Sequence, residues 1–306
     1  MTDKKTKLVL GTVQLGMKYG LNNTHGQPTR EESFSILDAA LAVGIDTFDT
    51  AYAYGGAEDV LGSWIRERSL AGKVRIISKM RPHALNDYPD GTRASDVVMR
   101  ELEKSLKRLN LESLDGYLFH SPHYIYLRHM VEGMREAQAA GLVKNIGVSI
   151  YDEPEALQAA ELGVDYVQVP YNAFDQRLDA TDFFELAKKN NVTVFARSPF
   201  LQGLLVMPPE RVPEHLSYVR PYLLQFAEIA QRHNLSPAWA ALLFVKEHCR
   251  AQQVVFGVET LPQLEEDKAI MNELASGAKW ASEIETAFRQ MNRGAINPSL
   301  WSRIKK

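Results

Sequence analysis

Short apolar runs alternate with amphipathic stretches from one end of this chain to the other. The runs Lys7–Gly11 (KLVLG), Ile45–Asp49 (IDTFD), Arg75–Lys79 (RIISK), Gly116–His120 (GYLFH), Asn145–Ser149 (NIGVS), Tyr166–Pro170 (YVQVP), Val192–Ala196 (VTVFA) and Gln253–Gly257 (QVVFG) read as strands. A helical pattern follows each of them. Val98, Leu102, Leu106 and Leu109 recur at helical spacing and so share a face that packs on a sheet. Start and stop signals agree with this reading. Thr29-x-x-Glu32 and Thr260-x-x-Gln263 have the form of capping boxes, Gly44 ends the first helix, and Ser236-Pro237 sets a cap before a first-turn proline.

Strands that alternate with helices predict a parallel sheet. Eight such units without a second compositional block predict a closed (β/α)8 TIM barrel, one domain over residues 1–306, with residues 292–306 as a tail near the mouth. An open doubly wound sheet is the competing fold. It often carries G-x-G-x-x-G after its first strand, and GTVQLGMKYG lacks that pattern.

Composition narrows the function classes. Net charge is −3 with the two signs interspersed, so no field of one sign points to nucleic acid or a membrane surface. The single cysteine, Cys249, excludes an internal disulfide and a cysteine metal cluster, and no metal site is expected. Met1 is followed by TDKKTK rather than an apolar signal core, and no run approaches the ~20 apolar residues of a membrane span. A cytoplasmic protein is expected.

A barrel carries its chemistry at the C-terminal ends of its strands. Asp49, Lys79 and His120 end the second, third and fourth runs, and Tyr54 follows the second. Neighbouring strands lie ~4.8 Å apart, so these side chains can converge. Asp46, three residues before Asp49, faces the other side of an ideal strand. A phenol is too weak an acid for efficient proton transfer at neutral pH, and an adjacent ammonium is expected to lower its pKa. A carboxylate can hold that ammonium, and a histidine can orient a carbonyl oxygen. The group suits proton delivery to an oxygen whose carbon receives a hydride, and the hydride implies a nicotinamide cofactor. Tyr52 and Tyr54 share a strand face, so periodicity leaves the choice between them open.

DTAYAYGGAEDVLGSWI resembles the D-T-A-x-x-Y-G-x-x-E-x-x-L-G signature of the aldo-keto reductases. IISKM resembles that family's strand ending in lysine, and LFHSP its strand ending in histidine; GLVKNIGVS, QVPYN and LPQLEED extend the likeness over most of the chain. The resemblance implies a barrel that reduces aldehydes or ketones with NAD(P)H. It implies Tyr54 as proton donor, Lys79 and Asp49 as the groups that tune it, and His120 as the group that orients the carbonyl. Ser149 and Gln168 match positions that hold the nicotinamide carboxamide, although Ile150 replaces the family's asparagine after Ser149. Thr12 matches a ribose contact. ARSPFLQGLL resembles the A-Y-S-P-L loop that covers the cofactor, which brings in Ser198, Leu201 and Gly203, with Arg197 where an aromatic residue usually stacks.

After the eighth strand, a helix capped by Thr260 is expected to offer free N–H groups to a phosphate. Family members selective for NADPH place a lysine and an arginine where this chain has Gly257 and Gln263, and Glu259 and Asp267 stand nearby. A carboxylate accepts from a ribose hydroxyl and repels a 2′-phosphate, so NADH is expected to serve as well as NADPH or better. His123, Tyr151 and Trp301, with Tyr54 and His120, are the expected substrate contacts, for a small-molecule carbonyl compound such as a sugar. The alternative is a cofactor-binding regulatory subunit similar to the potassium-channel β subunits. A barrel using Lys79 as a Schiff base is disfavoured because Asp49 keeps the amine charged. Sequence leaves oligomeric state open.

Overall fold

The computed structural model describes residues 7–272 and 279–301. Parallel strands β1 (Lys7–Gly11), β2 (Thr47–Asp49), β3 (Arg75–Met80), β4 (Leu114–Phe119), β5 (Val143–Ser149), β6 (Tyr166–Pro170), β7 (Thr193–Arg197) and β8 (Gln253–Gly257) close into a barrel in chain order. β1 seals it against β8, from Lys7 opposite Gln253 to Gly11 opposite Gly257. Helices lie between successive strands, and two of them, Arg220–Arg232 and Pro237–His248, separate β7 from β8. The fold is a (β/α)8 barrel.

Strand ends differ from the sequence reading by a residue or two, for local reasons. Ile45 stays outside β2 because its N–H closes the preceding helix on Ala40 O. Val192 is likewise held by Ala187 O, so β7 starts one residue later and takes in Arg197. His120 lies just past β4, whose last paired residue is Phe119 opposite Met80.

The caps form as their chemistry requires. Thr29 and Glu32 bond reciprocally, and Ser236 accepts from Trp239 N. The helix Ala94–Leu109 buries Val98, Leu102, Leu106 and Leu109. One large core lies between the strands and the helices. A second, small cluster comprises Val9, Ile77, Leu118, Phe195 and Val255, with Tyr166 packed on it. Strand side chains alternate between faces. Two residues beyond each member of this cluster therefore stand Gly11, Lys79, His120, Arg197, Gly257 and Gln168, on the same inward face. The apolar plug is the floor on which the polar end of the barrel rests.

The tail continues as short helices Arg293–Ile296 and Pro298–Trp301. The leading TDKKTK and residues 302–306 of the expected tail lie outside the described residues. Among the described residues, no helix is long and apolar enough to cross a membrane, and no three His, Cys, Asp or Glu side chains could hold a metal ion together.

Candidate active site

β2 and β3 run side by side, and their last inward side chains form a buried ion pair. Lys79 Nζ lies 2.6 Å from Asp49 Oδ2 and donates to Thr50 O at 2.9 Å. The same Nζ donates to the Tyr54 hydroxyl at 3.3 Å. His120 meets the Tyr54 ring edge-on, with centroids 5.6 Å apart. Asp49, Lys79, Tyr54 and His120 thus come together at the C-terminal mouth. Asp46 stands apart on Arg75, at 2.6 Å.

The loop that carries Tyr54 is fixed from both sides. Gly56 N donates to Gly16 O at 3.1 Å, and a Cβ on Gly16 would lie 1.9 Å from Tyr54 O. Only glycine permits so close an approach. Behind the loop, Arg108 donates to Tyr52 O and Gly55 O and pairs with Asp59 at 2.7 Å. Its guanidinium also covers the Tyr52 ring at 5.0 Å. Tyr52 therefore faces the outer helices, and Tyr54 faces the cavity.

Burial dominates the electrostatics. It pushes the Tyr54 phenol well above its ordinary pKa; the Asp49 charge adds to this and Arg197 opposes it. The lowering expected from Lys79 is not what the structure gives, because Asp49 at 2.6 Å neutralises that ammonium and the phenol is desolvated. Burial likewise draws the Lys79 pKa down, against the pull of Asp49. His120 is lowered to about 3, by burial first and then by Lys79 and Arg197. The histidine is therefore neutral at physiological pH, and the tyrosine keeps its proton.

A cavity of about 600 Å³ opens above these groups. It runs from Asp49, Tyr54, His120, Ser149 and Tyr151 to Gly257, Glu259, Gln263, Glu266 and Asp267. At the floor, Gln168 donates Nε2 to Asp49 Oδ1, and its own buried Oε1 has no partner. Such an orphaned acceptor is what a primary amide donor satisfies. Thr12 donates both its N–H and its hydroxyl to Asp49 O, at 2.9 and 3.0 Å. Ser198 and Gly203 line the cavity, whereas Leu201 is buried in the core beside it. Arg197 reaches across β6, donating Nη2 to Ile150 O at 2.8 Å, with its guanidinium 4.9 Å from the Tyr151 ring centroid.

Two expectations about the β8 end change. The helix start is not open to a phosphate as anticipated. The amides of Glu259 and Thr260 donate to Gln263 Oε1 at 2.7 and 3.2 Å, Gln263 N donates to Thr260 Oγ1, and Pro262 has no N–H. Gly257 is also constrained, since a Cβ there would lie 2.5 Å from the Gln14 side chain.

On the substrate side, Tyr151 lines the cavity but His123 and Trp301 do not. His123 turns outward to stack on His83, with centroids 5.8 Å apart, and packs on Tyr124. Trp301 buries its ring and donates Nε1 to Gly294 O at 3.0 Å, which leaves Pro298 and Ser299 as the tail's contribution to the wall. The sequence reading missed Gln14, Tyr19 and Gln202, which also line the cavity. The one available signal was the polar, aromatic content of the long loop after β1.

Comparison with known proteins bears on this geometry. A sequence model described as the Aldo/keto reductase family matches residues 7–285. The chain is similar to an aldo-keto reductase (str7) of Strobilurus tenacellus, 27% identical over 83% of this chain and 82% of that protein. It is similar to an L-glyceraldehyde 3-phosphate reductase of Escherichia coli K12, 26% identical over 92% of this chain and 90% of that protein. A methylglyoxal reductase (YeaE) of the same strain is 28% identical over 82% of this chain and 83% of that protein.

Proposed function

Because this chain belongs to the aldo/keto reductase family, and is an NAD(P)-dependent oxidoreductase, we propose that it reduces a small polar aldehyde or ketone to the alcohol with NADH as the preferred reductant. The observation that carries this reading is the convergence of Lys79, Asp49, Tyr54 and His120 on one side of a single cavity.

A nicotinamide, when bound, supplies the hydride. Ser149 and the orphaned Gln168 Oε1 would hold its carboxamide, and Thr12 its ribose. Neutral His120 bonds the carbonyl oxygen and fixes it beside Tyr54. Tyr54, protonated at neutral pH, gives its hydroxyl proton to that oxygen as negative charge develops there. Lys79 donates toward Tyr54 Oη, so it stabilises the phenolate left behind, and Asp49 anchors Lys79. The plug beneath keeps water from the proton path.

Preference for NADH is supported by the far end of the cavity, where Glu259, Glu266 and Asp267 line the wall. A 2′-phosphate entering there would meet carboxylates. Two relatives are named as reductases of L-glyceraldehyde 3-phosphate and of methylglyoxal, which agrees with a small carbonyl substrate. The test is a titration of NADH and NADPH by fluorescence, followed by steady-state assays on aldoses, keto sugars and short aldehydes. Turnover with NADH is expected at several times the kcat/KM seen with NADPH, and Glu259→Lys should move that ratio toward NADPH. Cofactor binding without turnover on any carbonyl would contradict the reading; an unmoved ratio in the variant would remove Glu259 from the ribose.

A further inference from the structure

Arg197 is the one lysine or arginine among the described residues that line the cavity. Among the described residues it also takes part in no ion pair; its hydrogen bonds go to Ile150 O and Ser198 Oγ, at 2.8 and 3.4 Å. It is not fully buried, and its charge is felt by Tyr19, Tyr54, Lys79 and His120. An uncompensated guanidinium facing a cavity is costly unless an anion completes it. Every carboxylate lining the cavity is already engaged or remote. Asp49 is held by Lys79, while Glu259, Glu266 and Asp267 belong to the β8 end.

Direction decides which anion. The guanidinium leans from β7 across β6 to the end of β5, away from β8. Its neighbours are Tyr151 and, one residue before Ile150, Ser149. That is the catalytic end of the cavity, whereas the phosphates of a dinucleotide are drawn toward the loops after the last two barrel strands. An anion reaching the outer edge of Arg197 therefore arrives with the substrate. Tyr19 and Tyr151, both lining the same region, add phenolic hydroxyls that can donate to it.

We propose that Arg197 binds a carboxylate or phosphate carried by the carbonyl substrate, so that the natural substrates are anionic aldehydes or ketones. The inference rests on the carbonyl-reductase reading and narrows it. Guanidinium presents paired donors that match either group, which an aromatic residue at this position cannot do.

Matched pairs test it: succinic semialdehyde against butanal, and glyceraldehyde 3-phosphate against glyceraldehyde. In the wild type, kcat/KM should favour the anionic member by about tenfold or more. Arg197→Gln should bring that ratio close to one, and Arg197→Lys should retain part of it. NADH affinity, titrated separately, should change little beside the change in ratio. Binding of each pair to the enzyme–cofactor complex, read from cofactor fluorescence, supplies the same ratio without turnover. Preferential anion binding that depends on Arg197 in an enzyme without turnover would uphold Arg197 while refuting the reductase reading. No anion preference in the wild type, or a preference untouched by Arg197→Gln, overturns the proposal. Loss of NADH affinity in Arg197→Gln with an unchanged substrate ratio also overturns it, and assigns the guanidinium to the cofactor's pyrophosphate.

Discussion

Asp267 carries a carboxyl group that is 5% exposed, in the wall of the cavity. Burial, and then the charge of Glu266, push its pKa from 3.8 up to about 8. The folded state therefore binds this proton more tightly than the unfolded chain does. Between those two values stability falls as pH rises, because ionisation is easier in the unfolded chain. Melting curves from about pH 5 to pH 9 should show the wild type losing ground to Asp267→Asn across that range. NADH affinity should drop as Asp267 ionises near pH 8 beside Glu259 and Glu266, and the same variant should flatten the drop; parallel pH profiles would contradict this. Other residues show what a sequence cannot give. Asp49, Lys79 and His120 were legible because alternation along a strand fixes their side. Gln14, Tyr19 and Gln202 were not, since no period governs a loop. His123 was misplaced for the same reason: adjacency to His120 in sequence does not fix the direction in which a loop side chain turns.

Elements at the mouth are joined by a network of two arginines. Arg177 pairs with Asp175 at 2.8 Å, with Asp152 and Glu153 at 3.1 and 3.0 Å, and donates to Tyr151 O. Arg293, from the tail, pairs with the same Asp152 and Glu153 at 3.0 Å each. The two cations have different consequences because their burial differs. Asp175 is 2% exposed, so Arg177→Ala leaves a buried charge alone and should cost about 3–5 kcal/mol by chemical denaturation. Arg293 is half exposed, and its loss should barely change the melting temperature. It should instead free the tail that brings Pro298 and Ser299 to the cavity, raising the substrate KM with less effect on kcat. Wild type at about 0.5 M salt should shift in the same direction, because exposed pairs are screened. An unchanged KM in Arg293→Ala would show that the tail is held by Trp301 alone.

At the scale of the whole molecule, the order of strands and helices was legible from hydrophobic periodicity, and closure followed from their number. Element ends shifted by a residue or two where helix-closing bonds, such as Ile45 N to Ala40 O, take residues that look extended. The barrel divides its mouth by charge, with Arg197 near the catalytic group and Glu259, Glu266 and Asp267 at the other end. An apolar plug holds both ends in place. Everything in this account turns on Tyr54 as the proton donor. The most direct test is single-turnover reduction by Tyr54→Phe, with NADH binding titrated on the same preparation. Reduction should fall by about 10²–10⁴-fold while NADH affinity stays close to wild type. Normal reduction in the variant would contradict the account.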